Sequence, residues 1–218
     1  MGVESAFILK RLDAAASGAP AAGGADVVFL DLPLRFLADL SQSLGAPDEQ
    51  LARSLMHDAR YEARVLACLL LDPAACDAQV ASAGRDALIA PLRAVREPAA
   101  TARRALPAMR IALHWADARP ERSVTAGLGL IADLAALLPP DAENALGFFD
   151  HALFQLRKRA AADSLAVREA AAAALLAIAA RDGNWKEAAV ETAEEIAAQP
   201  DARAQAFARH ALAHLTET

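Results

Sequence analysis

The sequence predicts an all-α chain in which antiparallel helix pairs stack side by side into a curved solenoid. Three observations lead there. The hydrophobic fraction is 56% but aromatics make up only 5%, so alanine and leucine, both strong helix formers, must build the core. Apolar residues recur at helical spacing almost everywhere, and strand-like alternation is nearly absent. Very short turns separate the segments, which forces neighbouring helices to lie antiparallel.

A first helix is expected over Val3–Ala16, followed by a flexible Gly/Ala-rich stretch at about 17–25. The next runs from Leu32 to Leu44 and stops at Gly45, a residue type that readily follows a helix end. Pro47-Asp48 starts a short helix ending near Met56, and Arg60–Leu71 supplies its partner. Asp72-Pro73 terminates that helix, because the residue before a proline leaves the helical region. Shorter helices are expected at Ala74–Ala81 and Arg85–Arg96. Pro98–Ala118 is broken by Arg119-Pro120, and Pro120–Leu138 ends at Pro139-Pro140. Asp141–Ala161 follows, and Asp163 or Ser164 caps a helix that ends at Asp182-Gly183. Asn184 is the expected cap of Trp185–Ala198, and Asp201 that of the last helix, which ends near Leu215.

In the final pair, Ala188, Ala189, Ala193, Ile196 and Ala197 are expected to face Phe207, Ala211, Leu212 and Leu215. Each pair keeps a second apolar stripe for the next, so no unit buries its face alone. That is the logic of HEAT-like and armadillo-type α-α superhelices. The expected organisation is one repeat domain over residues 1–218, with a compact helical bundle as the alternative.

No apolar run reaches membrane-spanning length; the longest, Val65–Leu71 and Ala170–Ala180, are interrupted or flanked by charge. The N-terminus lacks a signal-peptide layout, and Ala6 stands where myristoylation needs Ser or Thr. Cys68 and Cys76 have no CxxC spacing and read as buried thiols of a reducing compartment, so a cytoplasmic location is expected. A net charge of −6 argues against wholesale attraction to nucleic acid, although local patches can outvote a total. Of 22 cationic residues only Lys10, Lys158 and Lys186 are lysine. With the alanine excess, this reads as the compositional bias of a G+C-rich bacterial genome.

Three blocks resemble one family in order and spacing, from about residue 30 to 215. The first joins Leu32–Ala38, Leu51–Leu55 and Tyr61–Ala67 to Asp72-Pro73. The second is Ala112-Leu113-His114-Trp115-Ala116 followed by Val124 to Ala132. The third runs from Val167-Arg168-Glu169-Ala170 through Leu175, Ile178 and Arg181 to Ala193–Ile196 and Ala206–Leu212. Together they resemble the bacterial DNA-alkylation-repair glycosylases of the AlkD type. The resemblance implies a concave, positively lined solenoid that cradles duplex DNA. It also implies tryptophans that hold a cationic base and an aspartate that stabilises the developing sugar cation. The sequence departs from the family at those places. The family's aromatic falls on Pro91, its aspartate on Val95, its arginine near Thr125 and a second tryptophan on Ala172 or Ala173. Trp115 matches a structural tryptophan, so no base-excision activity and no catalytic residue are predicted.

Charge is the remaining signal. Arg85, Arg93, Arg96, Arg103, Arg104 and Arg110 are opposed locally only by Asp86 and Glu97, and Arg93 and Arg96 are expected to share a helix face. On a concave face they would neutralise phosphates of duplex DNA weakly and in a salt-dependent way; otherwise they form a solvated face with ordinary ion pairs. Arg157-Lys158-Arg159 reads as a helix C-terminus that complements its dipole. Glu62 is expected to bond backbone or a cation, and the single tyrosine, Tyr61, to pack between helices. His210 and His214 share a face at i,i+4 but lack a third ligand, so no metal site is assigned. Gly127-Leu128-Gly129 lies inside a helix, where it permits close helix contact rather than nucleotide binding. No cofactor is implied. Three readings follow: a degenerate repair relative that retains affinity for the DNA backbone, a HEAT-like scaffold for a protein partner, or an active alkylpurine DNA glycosylase with a relocated site.

Overall fold

The computed structural model describes residues 3–16, 21–22, 27–45, 48–71, 78–142 and 145–217. Within them the chain forms α1 (Val3–Ala15), β1 (Ala21–Ala22), β2 (Val28–Phe29), α2 (Leu34–Ser43), α3 (Glu49–Leu55), α4 (Tyr61–Leu70) and α5 (Ala78–Arg93). These are followed by α6 (Pro98–Asp117), α7 (Glu121–Leu137), α8 (Ala145–Arg159), α9 (Leu165–Ala179), α10 (Gly183–Ala197) and α11 (Ala202–Glu217). The fold is the expected helical solenoid. The two strands are a small departure: Ala21 pairs with Phe29 and Ala22 with Val28, antiparallel, within the connection from α1 to α2. Cys76, the Asp72-Pro73 stop, Pro47 and most of the Gly/Ala-rich stretch lie outside the described residues.

The helices form two rows. Each packs on its sequence neighbour and on the helix two places along, so α4, α6, α8 and α10 make one row and α5, α7, α9 and α11 the other. The second row is the tighter: α7 packs far more closely on α5 and α9 than α6 does on α4 and α8. A stack whose rows differ in spacing bends toward the closely spaced one, so the α5–α7–α9 row lies on the inside of the bend. Glycines allow close approach both between the rows and within one. A Cβ on Gly127 would lie 2.3 Å from the Ala116 amide nitrogen, so α7 crosses the α6 backbone where only glycine fits. Gly129 leaves room for the Arg85 guanidinium, whose Nη1 would be 2.5 Å from an added Cβ.

Two details differ from the sequence reading. The pair of short helices expected at Ala74–Ala81 and Arg85–Arg96 is, over the described residues, the single helix α5. Gly84 does not break it, because the glycine is there for packing: the Trp115 ring sits 3.0 Å from where its Cβ would be. Helix α10 is capped by Asp182, which accepts from the Trp185 amide at 3.1 Å, and Asn184 lies inside the helix. Ser164 and Asp201 cap α9 and α11 as expected, accepting from Val167 at 3.3 Å and from Arg203 at 2.7 Å.

Arginines tie the rows together lengthwise. Arg159, at the end of α8, donates to the carbonyls of Ala116 and Ala118 at the end of α6. Arg181, just past α9, donates to Ala135, Leu138 and Pro139 at the end of α7, each at 2.8 Å, and stacks 4.5 Å over Phe149. These carbonyls have no partner within their own helices, and a planar guanidinium with several donors reaches two or three at once. The basic run Arg157–Arg159 therefore bridges neighbouring helices: Arg157 pairs with Glu195 and Lys158 with Asp117 at 2.6 Å. The Lys158 ammonium holds the Asp117 carboxyl below the usual carboxylate range.

Tyr61 and Trp115 are buried, as expected of packing residues. Glu62 is also buried, and both carboxylate oxygens accept from the Leu30 amide at 3.0 Å, fixing the segment that follows β2. No helix of the described residues is long and apolar enough to cross a membrane.

Candidate functional site

The six arginines of the charge cluster divide between the two rows. Arg85 and Arg93 lie on α5, Arg96 in the connection after it, and Arg103, Arg104 and Arg110 on α6. Arg96 is outside the helix, so it does not share a helical face with Arg93. The α5 pair converges on one carboxylate from α7: Arg85 Nε is 2.6 Å and Arg93 Nη2 3.0 Å from Asp133. Asp133 lies 48 residues from Arg85, beyond any local charge pattern. Arg104 donates to both oxygens of Asp31 at 3.0 and 3.1 Å and stacks 4.2 Å over Phe29. Its hydrogen bonds hold the Asp31 carboxyl below the usual carboxylate range. Arg103 borders a hollow of ≈ 250 Å³ beside Tyr61 and Glu62, and Arg110 one of ≈ 300 Å³ beside Cys68 and Trp115.

The positions matched to the repair family's pocket lie on or beside the α5–α7–α9 row. Pro91 is buried near the end of α5, and Val95 is half-buried just past it. Thr125, on α7, turns its hydroxyl onto its own helix, donating to the Glu121 carbonyl at 2.9 Å. Ala173 is exposed on α9 while Ala172 is buried. None of the four brings an aromatic ring or a carboxylate to the row.

Ala173 instead belongs to a groove of ≈ 560 Å³ between α9 and α11. Both helices are antiparallel to α10, so they run parallel and start at the same end of the groove. Leu165, Leu176 and Phe207 form its apolar walls, and Ala172, Ala173 and Ala206 keep its floor shallow. Leu165 remains 60% exposed. Four polar side chains complete the lining: Arg168, Glu169, Arg203 and His210. Arg168 is held by the carbonyls of Ala162 and Asp163, and Arg203 pairs with Asp163 and Asp201. The His210 ring meets that of His214 edge-on at 4.7 Å. Among the described residues no cluster of three or more His, Cys, Asp or Glu is placed to hold a metal ion.

No family profile matches the sequence. No curated protein matches it either. Solved structures do match in outline. One is a designed armadillo repeat protein in complex with the peptide (KR)4, at 18% identity and a TM-score of 0.42, covering 84% of this chain and 91% of that one. A second designed armadillo repeat protein is 18% identical with a TM-score of 0.38, covering 85% and 93%. An engineered protein is 17% identical with a TM-score of 0.40, covering 84% and 90%. The architecture is established by the helix packing described above and not by these likenesses.

Sequence reasoning placed Phe207 in the interior of the last pair, where it is buried, but saw Ala172 and Ala173 only as missing tryptophans. The usable signal was the spacing of Leu165, Ala172, Ala173 and Leu176. They extend the apolar arc of α9 beyond what burying one face requires, which marks a second face available to another molecule.

Proposed function

We propose that this chain is a HEAT-like repeat scaffold that holds a segment of a partner protein on the inner row of α5, α7, α9 and α11. The apolar groove between α9 and α11 carries this reading. Leu165 and Ala173 stand exposed in its lining, with Leu176 half-buried and Phe207 buried behind them, an apolar surface suited to apolar side chains and unsuited to a phosphate backbone. Two arginines on which a duplex reading depends, Arg85 and Arg93, already share Asp133, and three others belong to the opposite row. A net charge of −6 points the same way. The resemblance to alkylation-repair glycosylases is compatible with common architecture, without the side chains that the chemistry requires.

Panning a displayed random-peptide library against the full chain, with Ala173→Arg as counter-selection, tests the proposal. Peptides that bind the parent saturably and lose affinity for the folded variant are expected. A labelled DNA duplex is titrated in parallel, against the parent and against Asp133→Asn, which releases Arg85 and Arg93. The scaffold reading fails if no peptide is enriched while the parent binds duplex with an affinity that collapses between about 50 and 200 mM salt.

A further inference from the structure

We infer that the α9–α11 groove receives an amphipathic helix whose apolar stripe lies between the two walls and whose acidic end meets Arg168. This deepens the scaffold reading and rests on it. The first argument concerns the backbone of the incoming segment. The walls belong to two complete helices, whose main-chain groups are bonded internally, so there is no strand edge to extend. No asparagine or glutamine is among the described lining residues. An extended peptide pressed into this groove would lose water from its N–H and C=O groups and could pair only the few within reach of Arg168, Glu169, Arg203 or His210, at a cost of about 1–3 kcal/mol for each group left unpaired. A helix arrives with those groups already satisfied and offers only side chains.

Dimensions agree. The lined part of α9 runs from Leu165 to Leu176, about 16 Å at 1.5 Å per residue, which accommodates about three turns of a partner helix. Ala173 and Ala206 present methyl groups only, so a third helix can approach as closely as small-residue interfaces allow, with its larger side chains reaching Leu165, Leu176 and Phe207.

Charge fixes the acidic end. Arg168 and Arg203 stand near the starts of two parallel helices, at the same end of the groove, where both helix dipoles are positive. The bonds that hold Arg168 in place come from main-chain carbonyls and leave its charge unneutralised. Arg203 is paired with Asp163 and Asp201, so Arg168 is the groove cation that an incoming carboxylate meets, with Glu169 the acidic residue among the described lining. A basic helix would meet the Arg168 guanidinium directly, whereas an acidic one gains charge-assisted hydrogen bonds from it.

Three fluorescein-labelled peptides of about three turns test the inference by anisotropy. The first has leucines at i, i+3, i+4 and i+7 with three glutamates at one end. The second carries two central prolines, and the third has lysine in place of glutamate. Saturable binding of the first is expected, with affinity at least about tenfold weaker for each of the others. Ala173→Arg is expected to abolish binding, while Ala90→Arg on α5 leaves it intact, both with unchanged melting temperature. Equal binding of the proline peptide overturns the helical occupant, and equal binding of the lysine peptide overturns its acidic end. Binding that survives Ala173→Arg moves the site away from this groove. Each of those results leaves the scaffold reading standing. Failure of the first peptide to bind at about 100 μM sinks the inference, while library panning decides the scaffold reading separately.

Discussion

Replacing Gly127 by alanine is expected to destabilise the chain, although alanine is the better helix former. An added Cβ would lie 2.3 Å from the Ala116 nitrogen, 2.8 Å from the Ala112 oxygen and 2.8 Å from the Trp115 carbonyl carbon. All three are backbone atoms, so no side-chain rotation relieves the overlap; α7 must move off α6 by about 1 Å to restore ordinary contact distances. Overpacking of this kind costs about 1–3 kcal/mol or more, and the upper end applies where only backbone can yield. Helix propensity returns about 1 kcal/mol of that. The net loss is about 2 kcal/mol, or about 4–8 °C in melting temperature for a chain of this length. Gly147 on α8 is the matched control, because a Cβ there meets nothing within 4 Å. Gly147→Ala is expected to stabilise by about 0.5–1 kcal/mol and to raise the melting temperature by about 1–4 °C. Thermal melts followed by far-ultraviolet circular dichroism, with urea midpoints as a second measure, distinguish opposite signs directly. A Gly127→Ala protein as stable as its parent would refute the close crossing of α6 and α7 that joins the two rows.

The remaining predictions concern buried charge, the lengthwise arginines and chemistry. Burial raises the Glu62 carboxyl above its ordinary value of 4.5, against the opposing pull of the Leu30 amide. Its contribution to stability is therefore complete below pH 4.5 and is lost as pH rises through the higher folded value; Glu62→Gln should flatten that loss in urea midpoints measured across the window. Asp13 and Asp31 have lowered values and act in the opposite sense below 3.8, so their acid-side loss should persist in the same variant. Arg181→Lys should cost about 1–3 kcal/mol, because one ammonium cannot span the carbonyls of Ala135, Leu138 and Pro139; a variant with a parental melting temperature would show that those bonds contribute nothing. Incubation with alkylated duplex should release no 3-methyladenine or 7-methylguanine above background, and liberation of either base would place a catalytic site that Pro91, Val95, Thr125 and Ala173 do not supply.

The sequence by itself determined the helices and their order. Alanine and leucine at helical spacing, Ser164 and Asp201 as caps, and prolines at the turns are local signals, and local hydrogen bonding enforces them. The same reading divided α5 between Ala81 and Arg85 and capped α10 with Asn184. Gly84 answers to the Trp115 ring, which lies far along the chain, and the Asp182 carboxylate reaches the Trp185 amide first. Tertiary structure alone decided what the charges do. The arginines of residues 85–110 read as one cluster along the chain, but α5 and α6 belong to different rows, and Asp133 arrives from α7 to occupy two of them. It also decided that Leu165 and Ala173 of α9 stay exposed beside a groove shared with α11. Helix formation depends on residues a few positions apart, whereas ion pairing and groove formation depend on how whole helices are spaced, and that spacing is set by contacts such as Gly127 on Ala116.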